Sequence, residues 1–212
     1  KGSQYLRELL TSIGKQVGTY EIVVSDNSRE NNNEIVCKEF QLPIKYVRCD
    51  SLGFSANINN AIKETSGEFI KPMCQDDVFV HSYALHFFEQ RLKFYNWVAC
   101  DSYRMNSQGF LGDEIKSKWN PNILKGENAP GKGIGMPSVV AFRKNEFDFD
   151  EKLTTLSDCE YYWKLYNSFG EPYFIRTPLV GQRYWDGSTT RILGNKRIEE
   201  YNYLKIKHNL AP

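Results

Sequence analysis

Asp26, the adjacent pair Asp76 and Asp77, and Asp158 are the side chains whose type and setting point most directly to chemistry. Asp26 follows the apolar run Ile22-Val23-Val24 in Ser25-Asp26-Asn27-Ser28, and Asp76-Asp77 follow Glu68 to Met73 through Cys74-Gln75. Neighbouring carboxylates suit a hard divalent cation such as Mg²⁺ or Mn²⁺, which takes one or two protein oxygens and completes its shell with water and phosphate oxygens. Asp158, on the separate stretch Ser157-Asp158-Cys159-Glu160, is a candidate general base, a role worth about 10²- to 10⁴-fold in rate. Each has a plainer reading when taken alone. Asp26 suits an Asx turn, and Asp76-Asp77 a solvated turn that caps a helix. Asp158 suits a charge set against a helix dipole, beside a capping box of Ser157 and Glu160. Only their convergence on one crevice makes a site.

Convergence depends on the elements that carry them. Tyr5, Leu6, Leu9, Leu10 and Ile13 recur at helical spacing before Gly14, predicting an opening helix whose apolar face needs a sheet. Tyr20 to Val24 predicts a buried strand that delivers its carboxyl end to Asp26. The pattern then predicts a helix from Asn33 to Phe40 and a strand from Ile44 to Arg48. A helix from Ser55 to Thr65 is closed by Gly67, and a strand from Glu68 to Met73 runs toward Asp76-Asp77. A helix from His81 to Tyr95 and a strand from Trp97 to Ser102 continue the alternation. Such alternation predicts an open α/β sheet with helices on both faces, whose ligands lie beyond the carboxyl ends of the strands.

The second half breaks this rhythm. Gly112 to Gly133 is polar, contains Pro121 and Pro130, and reads as a loop, either a lid over a site or disorder. Ser138 to Arg143 predicts a strand, Ser157 to Ser168 a helix, Tyr173 to Tyr184 one or two strands, and Arg197 to His208 a closing helix. We read residues 1–212 as one domain, with a first half of about 1–103 and a second of about 104–212. Lys and Arg number 27 against 26 Asp and Glu, so no broad field exists to hold nucleic acid, and any anion must be bound locally. No apolar run approaches the roughly 20 residues needed to cross a bilayer. Cys37, Cys49, Cys74, Cys100 and Cys159 are scattered without a CxxC pair, which argues against a disulfide framework or a zinc ribbon and for a reducing, cytoplasmic setting.

The run from Tyr20 to Asp77 includes Gly53-Phe54-Ser55-Ala56-Asn57-Ile58-Asn59-Asn60-Ala61, Gly67-Glu68-Phe69-Ile70 and Gln75-Asp76-Asp77. It resembles the nucleotide-binding half of family 2 glycosyltransferases of the GT-A fold. Phe149-Asp150-Glu151 with Ser157 to Leu165 resembles that family's acidic helix start, and Arg183 with Gly187-Ser188 resembles its closing loop. The resemblance implies an open, mixed, mainly parallel GT-A-like sheet with helices on both faces. It implies an inverting transfer from a nucleoside-diphosphate sugar to a glycan or lipid-linked saccharide, at the inner face of a membrane in the lipid-linked case. Asp26 would hold the base or ribose, with Ser28, Ser55, Asn59 and Arg183 around the nucleotide sugar. Asp76 and Asp77 would serve ribose and a Mg²⁺ or Mn²⁺ ion, and Asp158 the catalytic base.

The sequence departs from the family pattern at several points. Cys74 stands where an aspartate is common, Ile58 where an arginine often approaches the nucleotide, and Ser157 where a glutamate usually precedes the base. Trp185 stands near a usual metal-binding histidine, which makes Asp186 the alternative oxygen ligand. Arg183, Arg191 and Lys196 are candidate diphosphate contacts or plain surface charge. The family's opening strand has no counterpart before Tyr5, so the expected sheet lacks its first strand, through an amino terminus absent from this sequence, disordered or cut away. Two rival readings are a sugar nucleotidyltransferase and a domain that binds nucleotide or glycan without turnover.

Overall fold

The computed structural model describes residues 2–120, 122, 124, 134–187 and 196–210. Helix α1 (Gly2–Ile13) buries Tyr5, Leu6, Leu9, Leu10 and Ile13, the predicted apolar face. Strand β1 (Ile22–Asp26) pairs in parallel with β2 (Ile44–Arg48), the crossover between them running through α2 (Asn32–Lys38). Gly53, at a φ of 105° that side chains rarely adopt, turns the chain into α3 (Phe54–Lys63). The first half continues through β3 (Phe69–Ile70), β4 (Val78–Phe79), α4 (Ala84–Leu92) and β5 (Trp97–Met105).

The second half contributes β6 (Leu111–Ile115), a single 3₁₀ turn at Pro137–Val139, β7 (Val140–Arg143), α5 (Ser157–Phe169), β8 (Tyr173–Arg183) and α6 (Lys196–Lys207). A six-stranded sheet runs β3-β7-β5-β8-β4, with β6 paired to β5. Its centre is β5, in which Trp97, Val98, Ala99 and Cys100 are all buried, as a strand covered on both faces requires. Helices α1 and α4 cover this sheet and share its core with Phe142 and Tyr162. Each such fully buried apolar side chain contributes about 1.5–3 kcal/mol.

Several expectations change. Among the described residues two strand pairings are parallel and four antiparallel. The sheet is mixed as expected, but parallel pairing dominates only where a helix crosses over. The start of the predicted loop at Gly112 is the edge strand β6, a hairpin partner of β5 whose turn is held by Asn106 Oδ1 accepting from the Gln108 and Phe110 amides at 3.0 Å. Its exposed, polar composition hid it. The strands form two sheets, in keeping with a sheet that lacks a strand: β1 pairs only with β2, and no ladder among the described residues joins it to β3. A cavity of about 940 Å³ lies between them, walled by Leu10, Ile13, Val24, Ile62 and Ile70. No helix among the described residues is long and apolar enough to cross a membrane.

Candidate active site

The same cavity reaches Asp76 and Asp158 but not Asp26 or Asp77, which are buried beside it, and Ser25, Asn27, Asn57, Cys74 and Trp185 also line it. Asp76 and Asp77 sit in the turn that leads into β4, closed by the Asp77 amide donating to Cys74 O at 3.1 Å. Pairing of β4 with β8 sets Val78 opposite Gly181, and this register brings the end of β8 against the turn. The Arg183 amide donates to Asp77 Oδ1 at 2.8 Å, and Trp185 Nε1 donates to Asp76 Oδ2 at 2.9 Å. Asp77 Oδ2 is buried and has no hydrogen-bond partner. Burial, then the neighbouring Asp76 charge, pushes the Asp77 carboxyl up to about 7.

Arg183 is only 2% exposed. Its guanidinium donates to the carbonyls of Asp76 (2.8 Å), Asn106 (3.3 Å) and Ser107 (3.1 Å), pairs with Glu8, and stacks 4.3 Å over the Tyr5 ring. The arginine expected at a diphosphate is thus a clamp joining α1, the Asp76 turn and β8.

Asp158 occupies the first turn of α5, where its Oδ1 accepts from the Cys159 amide at 2.8 Å. Burial raises its pKa. The expected capping box is not formed, because α5 begins after Leu156 with no side-chain cap from Ser157. Glu200, from α6, holds the turn ahead of the helix, accepting from the amides of Thr154 (2.8 Å), Thr155 (2.9 Å) and Leu156 (2.9 Å). Glu160 instead pairs with Lys164, Lys207 and His208.

Asp26 forms the Asx turn, its Oδ1 accepting from the Ser28 amide at 2.9 Å and from Asn33 at 3.2 Å. Its Oδ2 accepts from the Tyr46 hydroxyl at 2.7 Å and Arg48 at 3.2 Å. Burial pushes this carboxyl up, but its hydrogen bonds outweigh burial and hold it below the usual range. Its neighbours Ser25 and Asn27, which the sequence reading passed over, line the cavity instead. The Ser28 hydroxyl donates to Glu30 O. Ser55 donates to Leu153 O, and Asn59 bridges Phe149, donating to its carbonyl and accepting from its amide. Ser55 and Asn59 therefore tie α3 to the second half.

The grouped metal-donor side chains among the described residues are Cys74, Asp76 and Asp77, whose ligand atoms all lie within 4.8 Å of one another. Asp186 is exposed and outside this group, Lys196 donates to Thr154 Oγ1, and Arg191 lies outside the described residues. The unpartnered Asp77 oxygen and the oxygen-bearing donor set fit a divalent cation.

The model of the family described as glycosyl transferase family 2 matches residues 1–144 of the 212. The chain belongs to that family. Among solved structures, this glycosyltransferase-family chain is similar to S. aureus TarS 1–349 in complex with UDP-GlcNAc. The TM-score is 0.68 at 19% identity, over 89% of this chain and 57% of that one. The same TarS fragment in complex with UDP gives a TM-score of 0.68 at 18% identity, over 96% and 61%. A further TarS structure gives 0.65 at 16% identity, over 96% and 40%. The likeness shows a shared GT-A fold. The glycosyltransferase-family chain thus spans well under two thirds of the TarS chains it matches. No curated protein matches its sequence.

Proposed function

We propose that the protein is an inverting glycosyltransferase that moves a sugar from a nucleoside-diphosphate sugar to a hydroxyl of a glycan or lipid-linked saccharide. The observation that carries this reading is the shared cavity, lined by Cys74 and Asp76 from the turn before β4 and by Asp158 from a separate helix. Asp76 and Asp77 would hold a Mg²⁺ or Mn²⁺ ion, which would supply Lewis-acid compensation of the charge on the leaving diphosphate. Asp158 takes the proton of the acceptor hydroxyl as it attacks. A single carboxylate acting on the face away from the leaving group inverts the anomeric centre, and burial moves Asp158 toward the pKa range useful to a base. Asp26 serves the nucleotide indirectly, by fixing the turn that presents Ser25 and Asn27 to the cavity.

The UDP and UDP-GlcNAc complexes of TarS favour a uridine nucleotide as the donor's carrier. With a lipid-linked acceptor the protein works at the inner, cytoplasmic face of a membrane. A thermal-shift series with UDP, GDP, dTDP and CMP sugars, each with and without Mn²⁺, tests the donor. UDP sugars are expected to stabilise the protein only with metal, by about 2.7 kcal/mol at a hundredfold excess over Kd. Silence across the series would overturn the reading. The Cys74 and Trp185 departures favour the second reading, a domain that binds without turnover, which predicts the same shifts but no product.

A further inference from the structure

Cys74 differs in setting from most of the other thiols. Cys37, Cys49 and Cys100 are buried, whereas Cys74 is partly exposed and lines the cavity. Its place is fixed from both sides, its amide donating to Ser138 Oγ at 2.8 Å and its carbonyl accepting from the Asp77 amide at 3.1 Å. This turn gathers Cys74 Sγ and one oxygen each of Asp76 and Asp77 within 4.8 Å. Asp77 Oδ2 is fully buried and makes no hydrogen bond of its own, and although Ser138 and Lys71 partly offset the carboxylate's charge, a cation would supply the partner this atom lacks.

We propose that the Cys74 thiolate is the third protein donor to the cation, making a mixed sulfur and oxygen site that prefers Zn²⁺ or Co²⁺ to Mg²⁺. The inference rests on the reading of Asp76 and Asp77 as cation ligands. Thiolate is a soft donor that Mg²⁺, a hard ion wanting oxygen, accepts poorly, whereas Co²⁺ and Zn²⁺ bind it well. On binding, the thiol loses its proton to solvent as the sulfur–metal bond forms, so one proton is released for each ion taken up at this residue. The paired aspartates keep two oxygen donors, and the rest of the shell stays open to phosphate oxygens and water.

Cobalt titration of the intact protein in the presence of UDP tests this directly, since a cobalt–thiolate bond adds a near-ultraviolet charge-transfer absorption that oxygen ligands lack. The wild-type protein is expected to show the band, Cys74→Ser to lose it, and Cys159→Ser to keep it. Cys74→Ser is further expected to weaken Co²⁺ binding by about tenfold or more, because even the loss of partners outside the coordination shell costs that much. The cadmium-113 chemical shift of the unsubstituted protein reports sulfur ligation without any variant. Cobalt binding without the band, or a cadmium shift typical of an all-oxygen shell, would overturn the inference and leave the cation reading standing. A band that survives Cys74→Ser would assign the sulfur elsewhere and overturn it too. No cobalt uptake at all would overturn both.

Discussion

The indole Nε1 of Trp185 donates to Asp76 Oδ2 at 2.9 Å, joining residues 109 positions apart. The indole ring meets Tyr5 of α1 edge-on at 5.5 Å, and the Arg183 guanidinium lies 4.3 Å over the same Tyr5 ring. One oxygen of the acidic pair is therefore aimed by packing between the first helix and the segment after the last strand.

Replacing Trp185 by Phe keeps the ring and removes the N–H. The loss of a hydrogen bond to a charged group is expected to cost about 1.5 kcal/mol of stability, and Mn²⁺-dependent binding of UDP is expected to weaken. Calorimetric titration and thermal unfolding measure both. Wild-type binding would mean that Asp76 is oriented by something other than Trp185.

Arg183→Ala leaves three carbonyls and the partly exposed Glu8 without their donor. Glu8 can turn to water, so the loss comes mainly from the unsatisfied carbonyls and is expected to be about 2 kcal/mol. Urea unfolding is the readout, and an unchanged midpoint would show that the clamp is not a major contributor.

Glu200→Ala removes the acceptor for three amides ahead of α5. The expected loss is at least about 2 kcal/mol. Because this cap orients the turn bearing Asp158, kcat should fall while the nucleotide Kd holds. A fall in kcat matched by an equal fall in the fraction of protein able to bind nucleotide would point to general unfolding instead.

His208 gives the closing helix a pH dependence. Burial holds its imidazole below the ordinary value of 6.5, while Glu160, 3.1 Å away, pulls the other way. The folded chain thus disfavours the charged ring: the stabilisation is present above pH 6.5 and is lost as pH falls through the lower folded value. Between about pH 7.5 and about pH 5.5, thermal stability should drop more in wild type than in His208→Gln. Parallel pH profiles would contradict this.

Much of this was legible where a feature is local. The spacing of Tyr5, Leu6, Leu9, Leu10 and Ile13 sets the buried face of α1, and the break from Val24 to Asp26 marks the end of β1. What stayed hidden depends on contacts distant in sequence. Ser157 and Glu160 have capping-box spacing, yet the Glu160 amide goes to Leu156 O, the Glu160 carboxylate turns to Lys164, Lys207 and His208, and the amides just ahead of α5 are held by Glu200 from the closing helix. Arg183 reads as a diphosphate contact or as surface charge because nothing local reveals that Glu8 and three carbonyls await it. Ser55 and Asn59 carry the right chemistry for a nucleotide, but face the second half because α3 must be tied to it.

The central claim is that Asp158 takes the proton in a transfer whose donor is held by the Asp76 turn. The most direct measurement compares Asp158→Asn with wild type, reading nucleotide Kd and sugar transfer side by side with the nucleotide sugar chosen by thermal shift. The account predicts unchanged binding and a kcat lower by about 10²- to 10⁴-fold. Transfer at the wild-type rate by Asp158→Asn would contradict it.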